Sequence, residues 1–159
     1  MAIDFLVAAL AAWASLKHGE AHGTHHLWAT WCGSCVDEFS DFQDTYKMDK
    51  NRDLELVTVS ANMPDEKAGV LKILVKKHAT SRNLLFGSNN TAELQTAFDP
   101  TCESAVPYTT PLDADRKVLY KSLGTVDILE LLRTILANLQ SDYTGFNQYW
   151  QSTSTQSDR

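Results

Sequence analysis

The feature that most constrains this chain is Trp31-Cys32-Gly33-Ser34-Cys35, two thiols separated by two residues. The residues before it, His26 to Thr30, read as a short buried strand running into the motif. After it, Val36, Phe39, Phe42 and Tyr46 recur at helical spacing, so Cys32 falls at a helix N-terminus. A two-residue gap lets the thiols close a small disulfide loop with little rearrangement. The helix dipole and the free N–H groups there stabilise a thiolate on Cys32. A thiolate is the attacking species in disulfide exchange, and Cys35, one turn further in, is placed to resolve the mixed disulfide. The same spacing occurs in zinc sites, but zinc needs two more ligands and the chain has no second CxxC.

The rest of the pattern alternates strands with helices. Ile3 to Lys17 reads as a helix and the Gly- and His-rich stretch His18 to His26 as a loop. Leu54 to Ala61 is β-branched and alternating, hence a strand. Pro64 suits a first helical turn, and Val70, Leu71, Leu74 and Val75 give that helix an apolar face. Leu84 to Phe86 reads as a short strand, and Asn90 to Phe98 as a short helix closed by Pro100. Tyr108 to Leu112 and Lys117 to Tyr120 flank a polar turn and read as a hairpin. In the last helix Ile128, Leu131, Leu132, Ile135, Leu136 and Leu139 form one apolar stripe, with Asp127 and Glu130 resembling a capping box. Tyr143 to Trp150 is expected to pack back on the domain. The order implies a mixed α/β layered fold, with a central mixed sheet flanked by helices. We expect residues 1–23 to be an N-terminal helix and loop, 24–150 the folded domain, and 151–159 a disordered polar tail.

A chain of 159 residues makes one domain able to bury a core without staples. Its net charge of −6 argues against a nucleic-acid partner. Three cysteines are too few for a disulfide scaffold, and Cys102 is left over. No window is long and apolar enough to span a bilayer. Phe5 to Ala14 resembles a signal-peptide core with Ala12-Trp13-Ala14 as a cleavage pattern, yet the only early charge is Asp4, of the wrong sign.

The run Trp28-Ala29-Thr30-Trp31-Cys32-Gly33-Ser34-Cys35 closely resembles the active-site signature of thioredoxin-like proteins. Leu56-Val57-Thr58-Val59-Ser60, Phe98-Asp99-Pro100 and Val106-Pro107-Tyr108-Thr109 are similar to the TlpA and ResA type of bacterial cell-envelope thiol–disulfide reductase. The resemblance spans Leu27 to Leu139. It implies a thioredoxin-like fold, a nucleophilic Cys32, a resolving Cys35, a cis bond between Val106 and Pro107, and substrate contact at Pro107. It also implies protein thiol or disulfide substrates, an upstream electron donor, and the cell envelope or periplasm, with the cytoplasm as the other option; no cofactor is expected, because the two sulfurs carry both electrons, and no metal. Ser34 stands where these families usually carry Pro, Pro111 falls inside a presumed strand, Arg116 replaces a turn Gly, and Thr24-His25-His26-Leu27 replaces a Val- and Phe-rich strand.

Around the pair, Trp31 is expected to shield and orient the sulfurs, with Gly33 and Ser34 inside the motif. His26 is a candidate proton acceptor for Cys35, the simpler reading being a histidine hydrogen-bonded at a strand end. Glu38 is a candidate for tuning the cysteines, the simpler reading being a solvated helix face. Cys102 is a third redox thiol or a passive one. His18, His22, His25 and His26 are a metal cluster or a solvated loop. Two other functions compete. One is a metal carrier using the cysteines and a nearby His. The other is a peroxide reductase, whose usual Pro-x-x-x-Thr pattern is absent before Cys32.

Overall fold

The computed structural model describes residues 5–8, 22–49, 54–101, 105–113, 115 and 117–142. Six strands form one sheet: β1 (Phe5–Ala8), β2 (His22–Trp28), β3 (Leu54–Ser60), β4 (Arg82–Phe86), β5 (Tyr108–Leu112) and β6 (Ser122–Leu123). Their order is β1-β4-β3-β2-β5-β6. The first four run parallel, β5 is antiparallel to β2, and β6 to β5. The helices are α1 (Gly33–Asp49), α2 (Lys67–Lys76, entered through a 3-10 turn at Pro64–Glu66), α3 (Thr91–Phe98) and α4 (Ile128–Asp142).

Parallel strands covered on both faces must be apolar on both, and β3 and β4 are buried along nearly their whole length. On one face, Leu27, Val57, Val59, Leu84 and Phe86 pack against Leu94 and Phe98 of α3. On the other, Trp28 and Leu85 pack against Cys35 and Phe39 of α1 and Val70 and Leu74 of α2. Next to that layer, Leu54, Leu56 and Phe42 receive Leu131 and Ile135 of α4. Asp127 caps α4, its Oδ1 accepting the N–H groups of Leu129 at 2.9 Å and Glu130 at 3.2 Å.

Several expectations are corrected. Phe5–Ala8 is an edge strand on β4 and not part of a helix. A four-residue apolar run fits either state, and only the partner strand decides. β2 begins at His22, inside the presumed loop, because β3 and β5 supply hydrogen-bonded neighbours on both sides. Leu71 and Val75 of α2 face solvent, leaving Val70 and Leu74 as its buried residues. The second hairpin arm is shifted: Val118 makes a single bridge to Leu112, and the paired residues are Ser122–Leu123. Pro111 is tolerated because its carbonyl faces Leu119, accepting that N–H at 2.9 Å, so its own nitrogen also points away from the β2 ladder. Among the described residues no helix is long and apolar enough to cross a membrane. Residues 9–21, Arg116, the aromatic run from Tyr143 to Trp150 and the tail 151–159 lie outside the described residues.

Candidate active site

The chain leaves β2 at Trp28, turns through Ala29-Thr30-Trp31 and enters α1 at Gly33. Cys32 therefore occupies the N-cap position. Its sulfur does what a capping oxygen does elsewhere, accepting the Cys35 N–H at 3.3 Å. The Ser34 hydroxyl is 3.5 Å from the same sulfur. Cys32 and Cys35 are joined as a disulfide with their Cα atoms 5.3 Å apart. Cys32 is 8% exposed, Cys35 is fully buried, and Trp31 beside them is 67% exposed. Trp31 thus stands largely in solvent next to the nearly buried pair. The Val106–Pro107 bond is cis, and the Val106 carbonyl oxygen lies 3.8 Å from Cys32 Sγ.

Further along α1, β2 alternation sends His26 to the face of that helix, where its partners are Thr109, Phe42 and Glu38 and neither cysteine is among them. Its Nδ1 and Thr109 Oγ1 are 3.1 Å apart, and its ring stacks on Phe42 with centroids 4.3 Å apart. Its Nε2 lies 3.8 Å from Glu38 Oε1, beyond hydrogen-bonding distance. Glu38 is 8% exposed, not on a solvated face, and its other oxygen accepts the Val126 N–H at 3.1 Å. Three residues after Cys35, Glu38 shares the buried side of α1. Burial pushes His26 down to about 3. It pushes Glu38 up to about 6, with the Val126 N–H opposing and Asp41 adding. Burial thus favours the uncharged form of both groups.

Two polar hubs were not singled out from the sequence. Asn62, buried, accepts the Thr30 N–H at 2.9 Å and donates to Thr30 Oγ1 at 2.6 Å and Glu66 Oε2 at 3.1 Å. It ties the turn before Cys32 to the end of β3. Asp99 collects Tyr108, Thr101 and Lys121 next to the Val106–Pro107 strap. Asp99 lies in the Phe98-Asp99-Pro100 run that carries the resemblance, whereas nothing in the sequence marks Asn62 as a hub. An open groove of about 540 Å³, lined by Met63, Pro64, Asp65, Gly87 and Asn89, lies past the ends of β3 and β4.

The presumed histidine cluster is not assembled. His25 packs against Phe98 on the α3 face while His26 faces α1, and His18 lies outside the described residues. Among the described residues, no three His, Cys, Asp or Glu side chains could hold a metal ion. The metal-carrier reading is therefore unsupported. Cys102 also lies outside the described residues.

No family model matches the sequence, and no curated protein matches it. Solved structures do. The chain superimposes on a structure assigned as thiol:disulfide interchange protein DsbE from Chlorobium tepidum, with a TM-score of 0.65 and 23% identity over 79% of this chain and 84% of that one. StoA from Bacillus subtilis aligns with a TM-score of 0.59 and 18% identity over 75% and 85%. A secreted Mycobacterium tuberculosis disulfide oxidoreductase, homologous to DsbE of E. coli, aligns with a TM-score of 0.62 and 14% identity over 78% and 85%. The fold is thioredoxin-like. In this thioredoxin-like frame the two sulfurs sit where β2 meets α1, at the C-terminal edge of the sheet.

Proposed function

We propose that this chain is a thiol–disulfide oxidoreductase that reduces disulfides in protein substrates, with Cys32 as nucleophile and Cys35 as resolving thiol. The observation that carries the reading is the asymmetry of the pair: the more exposed sulfur caps a helix N-terminus and receives an N–H, while its partner is fully buried. In the reduced enzyme the Cys32 thiolate attacks one sulfur of the substrate disulfide, and the other leaves as a thiolate that takes up a proton. Cys35 loses its proton, attacks Cys32 Sγ in the mixed disulfide and releases the second substrate thiol. The enzyme is left with the Cys32–Cys35 disulfide and needs two electrons from an upstream dithiol donor. Gly33 and Ser34 form the first turn of α1, Trp31 supplies an apolar rim, and Val106 with Pro107 forms the strap a substrate meets. His26 and Glu38 are a buried polar pair further along α1. The working domain runs from β2 to α4, residues 22–142, to which β1 adds an edge strand. One of the superimposed structures is a secreted protein, which supports an extracytoplasmic setting, the cell envelope or periplasm, for this chain.

Insulin reduction by dithiothreitol tests this. The wild-type chain should accelerate it in catalytic amounts, Cys32→Ser should be inert, and Cys35→Ser should stall as a mixed disulfide. Full turnover by Cys32→Ser would overturn the assignment.

A further inference from the structure

Three elements meet around one carboxylate that the proposed reaction does not use. Asp99 follows α3 and is almost wholly buried. Its Oδ2 accepts from the Tyr108 hydroxyl and from Lys121 Nζ, both at 2.5 Å. Its Oδ1 accepts the Thr101 N–H at 2.8 Å and hydroxyl at 2.7 Å. Lys121 also reaches Thr101 Oγ1 at 2.8 Å. Burial pushes the Asp99 carboxyl up, but the Lys121, Tyr108 and Thr101 hydrogen bonds outweigh it and hold it well below the usual carboxylate range.

A buried charge is costly unless its lone pairs are met, and apolar packing would join these elements more cheaply. What a fully bonded carboxylate adds is direction, because each donor must arrive along a fixed line. The lines converge on one target. Tyr108 is the residue after Pro107, and Pro107 O accepts the Gly124 N–H at 2.8 Å, just past the β6 strand that Lys121 precedes. The strap whose carbonyl faces Cys32 Sγ at 3.8 Å is thus fixed on its C-terminal side by groups that touch neither sulfur.

We infer that Asp99, Lys121 and Tyr108 form a positioning clamp that holds the Val106–Pro107 strap in register for an extended, disulfide-bearing polypeptide. The inference rests on the oxidoreductase reading. A polypeptide must lie along the strap to bring its disulfide to Cys32, whereas a small disulfide needs only the sulfur. The clamp therefore governs substrate class, and the intrinsic reactivity of the cysteines is independent of it.

The test compares insulin with cystamine, a small disulfide, as substrates of the wild type, Asp99→Asn, Lys121→Met and Lys121→Arg. For Asp99→Asn and Lys121→Met, KM for insulin should rise about tenfold, equivalent to about 1.4 kcal/mol. Their kcat for insulin and their rate with cystamine should stay near wild type, and Lys121→Arg should retain the wild-type KM. Lys121 is partly exposed, so Lys121→Met decides the matter if Asp99→Asn fails to fold. Insulin and cystamine rates falling together in Lys121→Met, or neither changing, would overturn the clamp. A wild-type chain inert toward both substrates overturns the oxidoreductase reading itself, and the clamp's role with it.

Discussion

At the scale of single residues, the chemistry is set by what surrounds two sulfurs. Serine at position 34 places a hydroxyl 3.5 Å from Cys32 Sγ, where it can donate to a thiolate. Such a bond to an ionised acceptor is worth about 1.5 kcal/mol or more, and stabilising the thiolate stabilises the reduced form. Ser34→Ala should therefore be a stronger reductant by about 30 mV, measured in a common dithiothreitol series. An unchanged or less negative potential would show that the hydroxyl does not act on the sulfur. Glu38 yields a pH prediction. Its folded pKa of about 6 lies above the ordinary 4.5, so its contribution to stability is full below 4.5 and lost as pH rises through 6. His26, held down to about 3 from 6.5, acts oppositely: its contribution is full above 6.5 and lost as pH falls toward 3. Glu38→Gln keeps an acceptor for Val126 and removes only the first effect. Relative to wild type, it should gain about 1 kcal/mol between pH 4.5 and 7, after discounting for solvent screening. Urea unfolding at both pH values checks this, and a pH-independent difference contradicts it. The cysteines were legible from their spacing together with the strand that runs into them and the absence of a second CxxC. Of the two readings of Glu38, the solvated face fails, because its position three after Cys35 puts it on the face that also buries Phe39 and Phe42.

At the scale of elements, legibility followed length and period. Helix α4 and strand β3 stand almost where their patterns placed them, since many residues vote for each. Short elements were decided by neighbours. β1 looks helical in isolation and is a strand because β4 offers it an edge. β2 contains Thr24, His25 and His26, poor advertisements for a central strand, yet all three are buried between β3 and β5. The His26–Thr109 contact closes a separation of 83 residues, and nothing local announces it. The site depends on where α1 is seated, which Phe39 secures by packing on Trp28 with ring centroids 4.8 Å apart. Phe39→Ala should cost about 3–5 kcal/mol in denaturant unfolding, and a loss under about 1 kcal/mol would show that α1 is held by other contacts. Asp127→Ala removes an exposed cap, should cost about 1 kcal/mol, and should leave thiol chemistry unchanged.

At the scale of the whole molecule, the topology turns scattered residues into one surface. Parallel β2 and β3 end at the same edge, where Asn62 ties their loops together. Antiparallel β5 starts at that edge, which delivers Val106 and Pro107 to a cysteine 74 residues earlier in the chain. The sequence named the motif and the proline, but only the strand order brings them face to face. The central claim is that this meeting point is a reversible two-electron centre. Its most direct test is equilibration in graded ratios of reduced to oxidised dithiothreitol, followed by alkylation and mass mapping of Cys32 and Cys35. The account predicts that both thiols appear together in one transition of about 30 mV per decade, and that a brief pulse at mildly acid pH labels Cys32 before Cys35. A pair that stays closed throughout the series, or a Cys35 labelled as fast as Cys32, would contradict it.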